Sequence, residues 1–102
     1  MKIELPIEGV LALNDTLTTT PVQGRVEMRK HAKIFEELNE KCRIFQNADK
    51  TEFRWKPGTL EIADGELVKY LTVILDKRID DGVNGQLSIG YAMLLAALDK
   101  KP

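Results

Sequence analysis

Between Thr20 and Phe45, apolar side chains recur at a spacing that a helix gathers onto one face. Met28, Phe35 and Cys42 lie seven apart, His31, Leu38 and Phe45 interleave at the same interval, and Ala32 and Ile34 widen the stripe. The opposite face is charged, so this segment reads as a long amphipathic helix whose stripe the rest of the chain must cover. Thr20 reads as its N-cap, with Pro21 at the first helical position and Gln23 completing a capping box. Gly24 weakens that first turn by up to ~1 kcal/mol relative to alanine, which leaves a start after it open.

The elements around this helix are short. Lys2 to Leu5 could form a strand, whereas Pro6, Ile7, Val10, Leu11, Leu13 and Leu17 make a rough helical stripe; helix is the favoured reading of this opening segment. After a polar connection at residues 46–50, the stretch TEFRWKPGTLEI suggests a β-hairpin across Pro57-Gly58. That register sets Trp55 opposite Leu60, Phe53 opposite Ile62 and Arg54 opposite Glu61. An L-proline at the first central position twists a two-residue turn the wrong way, so a wider loop is also compatible. Leu67, Leu71, Ile74, Leu75 and Arg78 then keep helical spacing, with Asp64 as cap and Gly82 as stop. Asn84 or Ser88 can cap a last helix running to about Lys100, which sets Lys100 and Lys101 at the end favoured by the helix dipole.

A chain of 102 residues makes one domain, large enough to bury roughly 60–70% of its unfolded surface. The fold expected is therefore α+β, mainly helical, with one hairpin. The last helix is apolar nearly all round: Leu87, Ile89, Tyr91, Met93, Leu94, Leu95 and Leu98 cannot all face one surface. It should be central or lie at an oligomer interface, and a homo-oligomer is expected.

Composition narrows the partners. Fifteen basic residues against sixteen acidic ones give a net charge of -1, which offers no long-range attraction to long nucleic acid or an anionic membrane. The longest wholly apolar run, Tyr91 to Leu98, is less than half the ~20 residues of a membrane helix, and the acids and proline of the first residues do not suit a signal peptide. With Cys42 the single cysteine, no intrachain disulfide can form and a reducing cytoplasm is expected.

Two groups of residues invite a binding reading. Arg25, Arg29, Lys30 and Lys33 crowd the start of the main helix, where cations oppose the dipole and lose a few tenths to ~1 kcal/mol each. Pairs such as Glu27 with Lys30 and Lys33 with Glu36 or Glu37 return ~0.2–0.5 kcal/mol apiece. Either an external anion such as a phosphate completes this end, or it is a solvated charged face. Arg54-Trp55-Lys56 could hold a nucleotide, the indole stacking on a base for ~1–3 kcal/mol while the cations meet phosphate. Equally, Phe53 and Trp55 would face a core and Arg54 and Lys56 water, as a half-buried strand requires.

No catalytic or metal motif accompanies them. His31 on the apolar stripe reads as a hydrogen-bonded core histidine, and without a second histidine it makes no metal pair. Cys42 reads as a buried thiol; the two side chains, eleven residues apart on one helix, are ~16 Å apart along its axis. Asp76, Asp80 and Asp81 lack calcium-loop spacing, and the glycines form no phosphate loop. The expectation is a protein that is not an enzyme and uses no cofactor.

The order of parts resembles a group of small proteins encoded by tailed bacteriophages and prophages. The matching residues are Phe53, Trp55, Gly58, Glu61, Ile62, Gly65, Glu66, Ser88 and Tyr91, and the likeness covers most of the chain. It departs at the end: a charged helix is usual in that group, whereas here the chain reads Ala-Met-Leu-Leu-Ala-Ala-Leu. The resemblance implies a small accessory or structural protein working in the host bacterial cytoplasm. The function expected is stoichiometric binding by an anti-defence protein that sequesters a nucleotide signal or blocks a host protein. Arg25, Arg29, Lys30, Arg54 and Lys56 would then meet phosphates and Trp55 a base. The rival is a virion or assembly component acting through protein contacts.

Overall fold

Pro6 divides the opening segment into two elements. In the computed structural model, which describes residues 1–99, Lys2–Leu5 form strand β1 and Ile7–Thr19 form helix α1. Both readings of this segment are thus realised in succession, because proline cannot donate within a strand but suits a helix start. The remaining elements are α2 (Arg25–Cys42), β2 (Arg43–Phe45), β3 (Phe53–Trp55), β4 (Gly58–Glu61), α3 (Gly65–Asp80), a short 3-10 turn (Gly85–Leu87) and α4 (Ser88–Asp99). The fold is α+β and mainly helical, with two two-stranded antiparallel sheets.

The hairpin lies elsewhere than its strongest turn signal suggests. Strand β3 pairs with β2, setting Arg43 opposite Trp55, Ile44 opposite Arg54 and Phe45 opposite Phe53. Strand β4 pairs instead with β1, Ile3 opposite Leu60 and Lys2 opposite Glu61, and Met1 and Ile62 extend that ladder by two bonds of 2.8 and 2.9 Å. Pro57-Gly58 is therefore a crossing between sheets. A Cβ at Gly58 would stand 2.8 Å from the Lys41 carbonyl oxygen and 2.9 Å from Cys42 Sγ, so glycine is what lets the chain pass close to the end of α2.

Helix α2 is shorter at both ends than the periodicity implies. It starts at Arg25 after Gly24, whose φ of 91° only glycine adopts readily, and no side chain caps it, so the Thr20-Pro21-Gln23 capping box does not form. It stops at Cys42, and Phe45 belongs to β2. The buried stripe is His31, Ile34, Leu38 and Cys42, with Phe35 packed at its edge; Met28 and Phe45 are exposed. In α3 the Asp64 carboxylate accepts from the Glu66 N–H at 2.9 Å, and the helix ends before Gly82 at φ 99°.

At the centre stands α1. It buries Gly9, Val10, Ala12, Leu13, Thr16 and Leu17 and touches the three other α-helices, most extensively α4. Of the two places expected for α4, central or at an oligomer interface, the central one is taken by α1: α4 buries Gly90, Tyr91 and Leu94, and leaves Ile89 and Met93 exposed. A Cβ at Gly90 would overlap the Glu8 carbonyl, so the α1–α4 seam depends on that glycine. The expected placement of Lys100 and Lys101 at the end of α4 lies outside the described residues.

Candidate functional site

The two groups of cations sit at opposite ends of α2. Arg25 opens the helix, whereas Lys56 donates its backbone N–H to the Cys42 carbonyl at 2.8 Å, beyond the last turn. Seventeen residues at 1.5 Å rise separate them by roughly 25 Å along the axis. The six residues expected to hold one nucleotide, Arg25, Arg29, Lys30, Arg54, Trp55 and Lys56, thus make two separate clusters. The expectation of one site set the hairpin near the basic start of the helix, whereas β3 lies at the helix's far end.

In the first cluster only Lys30 meets acidic partners among the described residues. Lys30 lies 3.8 Å from Glu27 and 3.9 Å from Glu66, while Arg25 and Arg29 point to water. Between α2 and α3 a cleft of about 240 Å³ is lined by Glu27, Lys30, Glu66, Lys69, Tyr70 and Val73. Two carboxylates facing two ammonium groups leave it little net attraction for an anion.

Beneath that cleft His31 is fixed from both sides. Its Nε2 lies 2.8 Å from the Leu17 carbonyl oxygen, which can only accept, so Nε2 carries a proton. Nδ1, 2.8 Å from the Tyr70 hydroxyl, then accepts from the phenol in the neutral ring. Burial, and secondarily the charge of Glu27, pushes the Tyr70 hydroxyl pKa up, which keeps it a donor. His31 joins α1, α2 and α3 as the core histidine expected.

A second polar junction was not foreseen. Tyr91 donates to Asp15 Oδ2 at 2.6 Å, Arg78 Nε donates to the same oxygen at 3.2 Å, and Arg78 Nη1 donates to the Gly82 carbonyl at 2.9 Å. Thr16 Oγ1, fully buried, lies within reach of both the Ala12 carbonyl and the Tyr91 oxygen. Burial first, and then the Asp15 carboxylate, push the Tyr91 pKa up to about 12. These residues tie α1, α3 and α4 together. Cys42 is likewise buried, and burial outweighs the nearby Lys56 charge to raise its thiol pKa.

The second cluster is different in kind. The β2–β3 register places Arg43, Phe45, Phe53 and Trp55 on one face of the ribbon and Ile44 and Arg54 on the other. Phe53 stands edge-on to both Phe45 and Trp55, and the Arg43 guanidinium carbon sits 4.2 Å from the Phe53 ring centre and 4.6 Å from that of Trp55. Lys50 Nζ reaches to 5.7 Å over Phe45. Such contacts contribute roughly 0.5–2 kcal/mol each, which helps to offset an Arg43 Nε that is buried without a hydrogen-bond partner.

Phe45 and Phe53 nonetheless remain 41% and 43% exposed, and only Trp55 of the three rings packs against the core. The expected inward Phe53 is corrected by this: β4, which would have covered it, belongs to the other sheet. Among the described residues Lys50, Arg54 and Lys56 enter no ion pair. Sequence reasoning missed Arg43, Phe45 and Lys50 as members of this face. The aromatic and β-branched run Arg43-Ile44-Phe45 ahead of the polar Asn47 to Thr51 stretch was the available signal, since Asn47 Oδ1 accepts from the Thr51 and Glu52 N–H groups to close the loop.

Among the described residues no group of three acidic, histidine or cysteine side chains is placed to hold a metal ion, and no helix is long and apolar enough to cross a membrane. No protein-family model, curated protein or solved structure matches the chain.

Proposed function

We propose that the protein is a non-enzymatic accessory protein of a tailed phage or prophage that acts in the host cytoplasm by stoichiometric binding, blocking a host protein through the β2–β3 ribbon. The observation carrying this reading is the exposed Phe45–Phe53 face with cations around it that no internal acid neutralises, a combination of aromatic anchors and arginine common at protein contacts. The phage setting draws its support from the sequence resemblance alone. Sequestration of a nucleotide is the weaker form of the proposal, because Arg25, Arg29 and Lys30 lie at the other end of α2 from Trp55, leaving only Arg54 and Lys56 beside it for phosphate, and Arg43 already covers a face of Phe53 and Trp55. A role in virion assembly through self-association is favoured by one feature, the exposed Ile89 and Met93 of α4.

The test is capture from a bacterial lysate by the parent chain and by a Phe53→Ser, Arg54→Glu double variant. A protein retained near one-to-one by the parent and lost by the variant is the expected result; equal retention, or none, overturns the reading. Thermal shift with cyclic and linear nucleotides should show no rise. A saturating nucleotide at a hundred times its Kd would add ~2.7 kcal/mol and reinstate sequestration.

A further inference from the structure

The outer edge of β3 carries backbone groups with no partner. The Lys56 N–H bonds the Cys42 carbonyl and the Gln46 N–H bonds the Glu52 carbonyl. Residue pairs 42–56 and 46–52 are therefore hydrogen-bonded positions, as is Ile44–Arg54 between them. By the alternation of an antiparallel ladder, the N–H and C=O groups of Phe53 and Trp55 point away from β2. Among the described residues they find neither a backbone nor a side-chain partner. In contrast, the corresponding edge of β4 is occupied, since the Glu61 N–H donates to Glu37 Oε1 at 3.2 Å.

The side chains along this edge define what would fit it. Arg54 and Lys56 share one face of the ribbon, exposed and, among the described residues, outside any ion pair, while Phe53 and Trp55 share the other. A strand laid along β3 would set alternate residues against the cations and the intervening ones against the rings. A second copy of β3 is a poor occupant, because the antiparallel self-pairing that matches Phe53 to Trp55 puts Arg54 against Arg54. An acidic residue at that position removes the repulsion and supplies the missing charge.

We infer that β3 takes an added strand from its partner, and that the partner segment is extended and alternates apolar with acidic residues. This inference rests on the ribbon being the binding face and names what the face recognises. Main-chain hydrogen bonds would provide the attachment and the alternation would provide the choice of segment.

The probe is a synthetic peptide of alternating valine and glutamate, followed by the emission of Trp55, the single tryptophan of the chain. The expected result is a saturable emission change that an alternating valine and lysine peptide does not produce and that Arg54→Glu weakens roughly tenfold or more. Two further peptides test the backbone. N-methylation of the valines removes the hydrogen bonds of an antiparallel addition, and N-methylation of the glutamates those of a parallel one. A roughly tenfold loss with one of these and not the other supports strand addition and gives its direction. Loss with both or with neither overturns it while leaving the ribbon as a side-chain contact face. Absence of binding by the unmodified peptide also overturns the inference, and the lysate capture then decides separately whether the face binds anything.

Discussion

The α1–α4 seam, with Arg78 of α3 against it, and the β2–β3 ribbon both combine tyrosine or tryptophan with arginine, yet they commit those groups in opposite ways. At the seam, Tyr91, Asp15, Thr16 and Arg78 use one another and nearby carbonyls, and Gly90 admits no side chain. At the ribbon, three-residue strands leave two phenylalanines near half exposure, an arginine nitrogen without an acceptor and one edge unpaired. A group whose polar capacity is filled inside the molecule can add only to stability. One whose capacity is unfilled is available to something else, which is why the ribbon rather than the seam is the candidate for recognition.

The contrast is broken most severely at Gly90. Gly90→Val should lower stability by roughly 3 kcal/mol or more, since the new side chain meets the Glu8 backbone and not a yielding side-chain tip; thermal unfolding should show a drop on the order of 10 °C or more. An unchanged melting temperature would mean that the seam is looser than its geometry. The next effect depends on pH. Tyr91 titrates near 10 when unfolded and about 12 when folded, so folding holds its proton. The resulting stability is complete below pH ~10 and is lost as pH rises toward 12, by up to ~1.4 kcal/mol per unit. Chemical denaturation at pH 8 and 11 should show a steeper loss for the parent than for Tyr91→Phe, which itself gives up about 1–2 kcal/mol at neutral pH. Smallest of all, Phe53→Ser should change stability by no more than about 2 kcal/mol in a urea titration, the loss coming from its exposed contacts with Arg43, Phe45 and Trp55. A larger loss would class the ribbon with the seam as structural.

What could be read beforehand follows the same division between local and distant causes. The cap at Asp64, the stop at Gly82 and the stripe from His31 to Cys42 each depend on residues within a turn or two, and each is found where the spacing puts it. The hairpin is misassigned because Pro57-Gly58 is the loudest nearby turn signal, while the partner that captures β4 lies at residues 2–5. Phe45 keeps heptad spacing with His31 and Leu38, so periodicity alone extends α2 three residues too far. The candidate site fails as a single site for one reason: which end of a long helix meets a strand is a question of tertiary pairing. Arg54 and Lys56 are legible as exposed cations on either side of Trp55, but Arg43 and Phe45 join them only through the register.

The pairing of β1 with β4 has an implication for how the chain is made. Strand β1 has no mate until residues 58–61 have been made, so Ile3 and Leu5 must wait through the synthesis of two helices and a hairpin, whereas β2 and β3 can meet across seven residues. Closure over so long an interval is the slow step that topology imposes. During that wait, the unpaired edge of β1 is open to mispairing with a neighbouring chain.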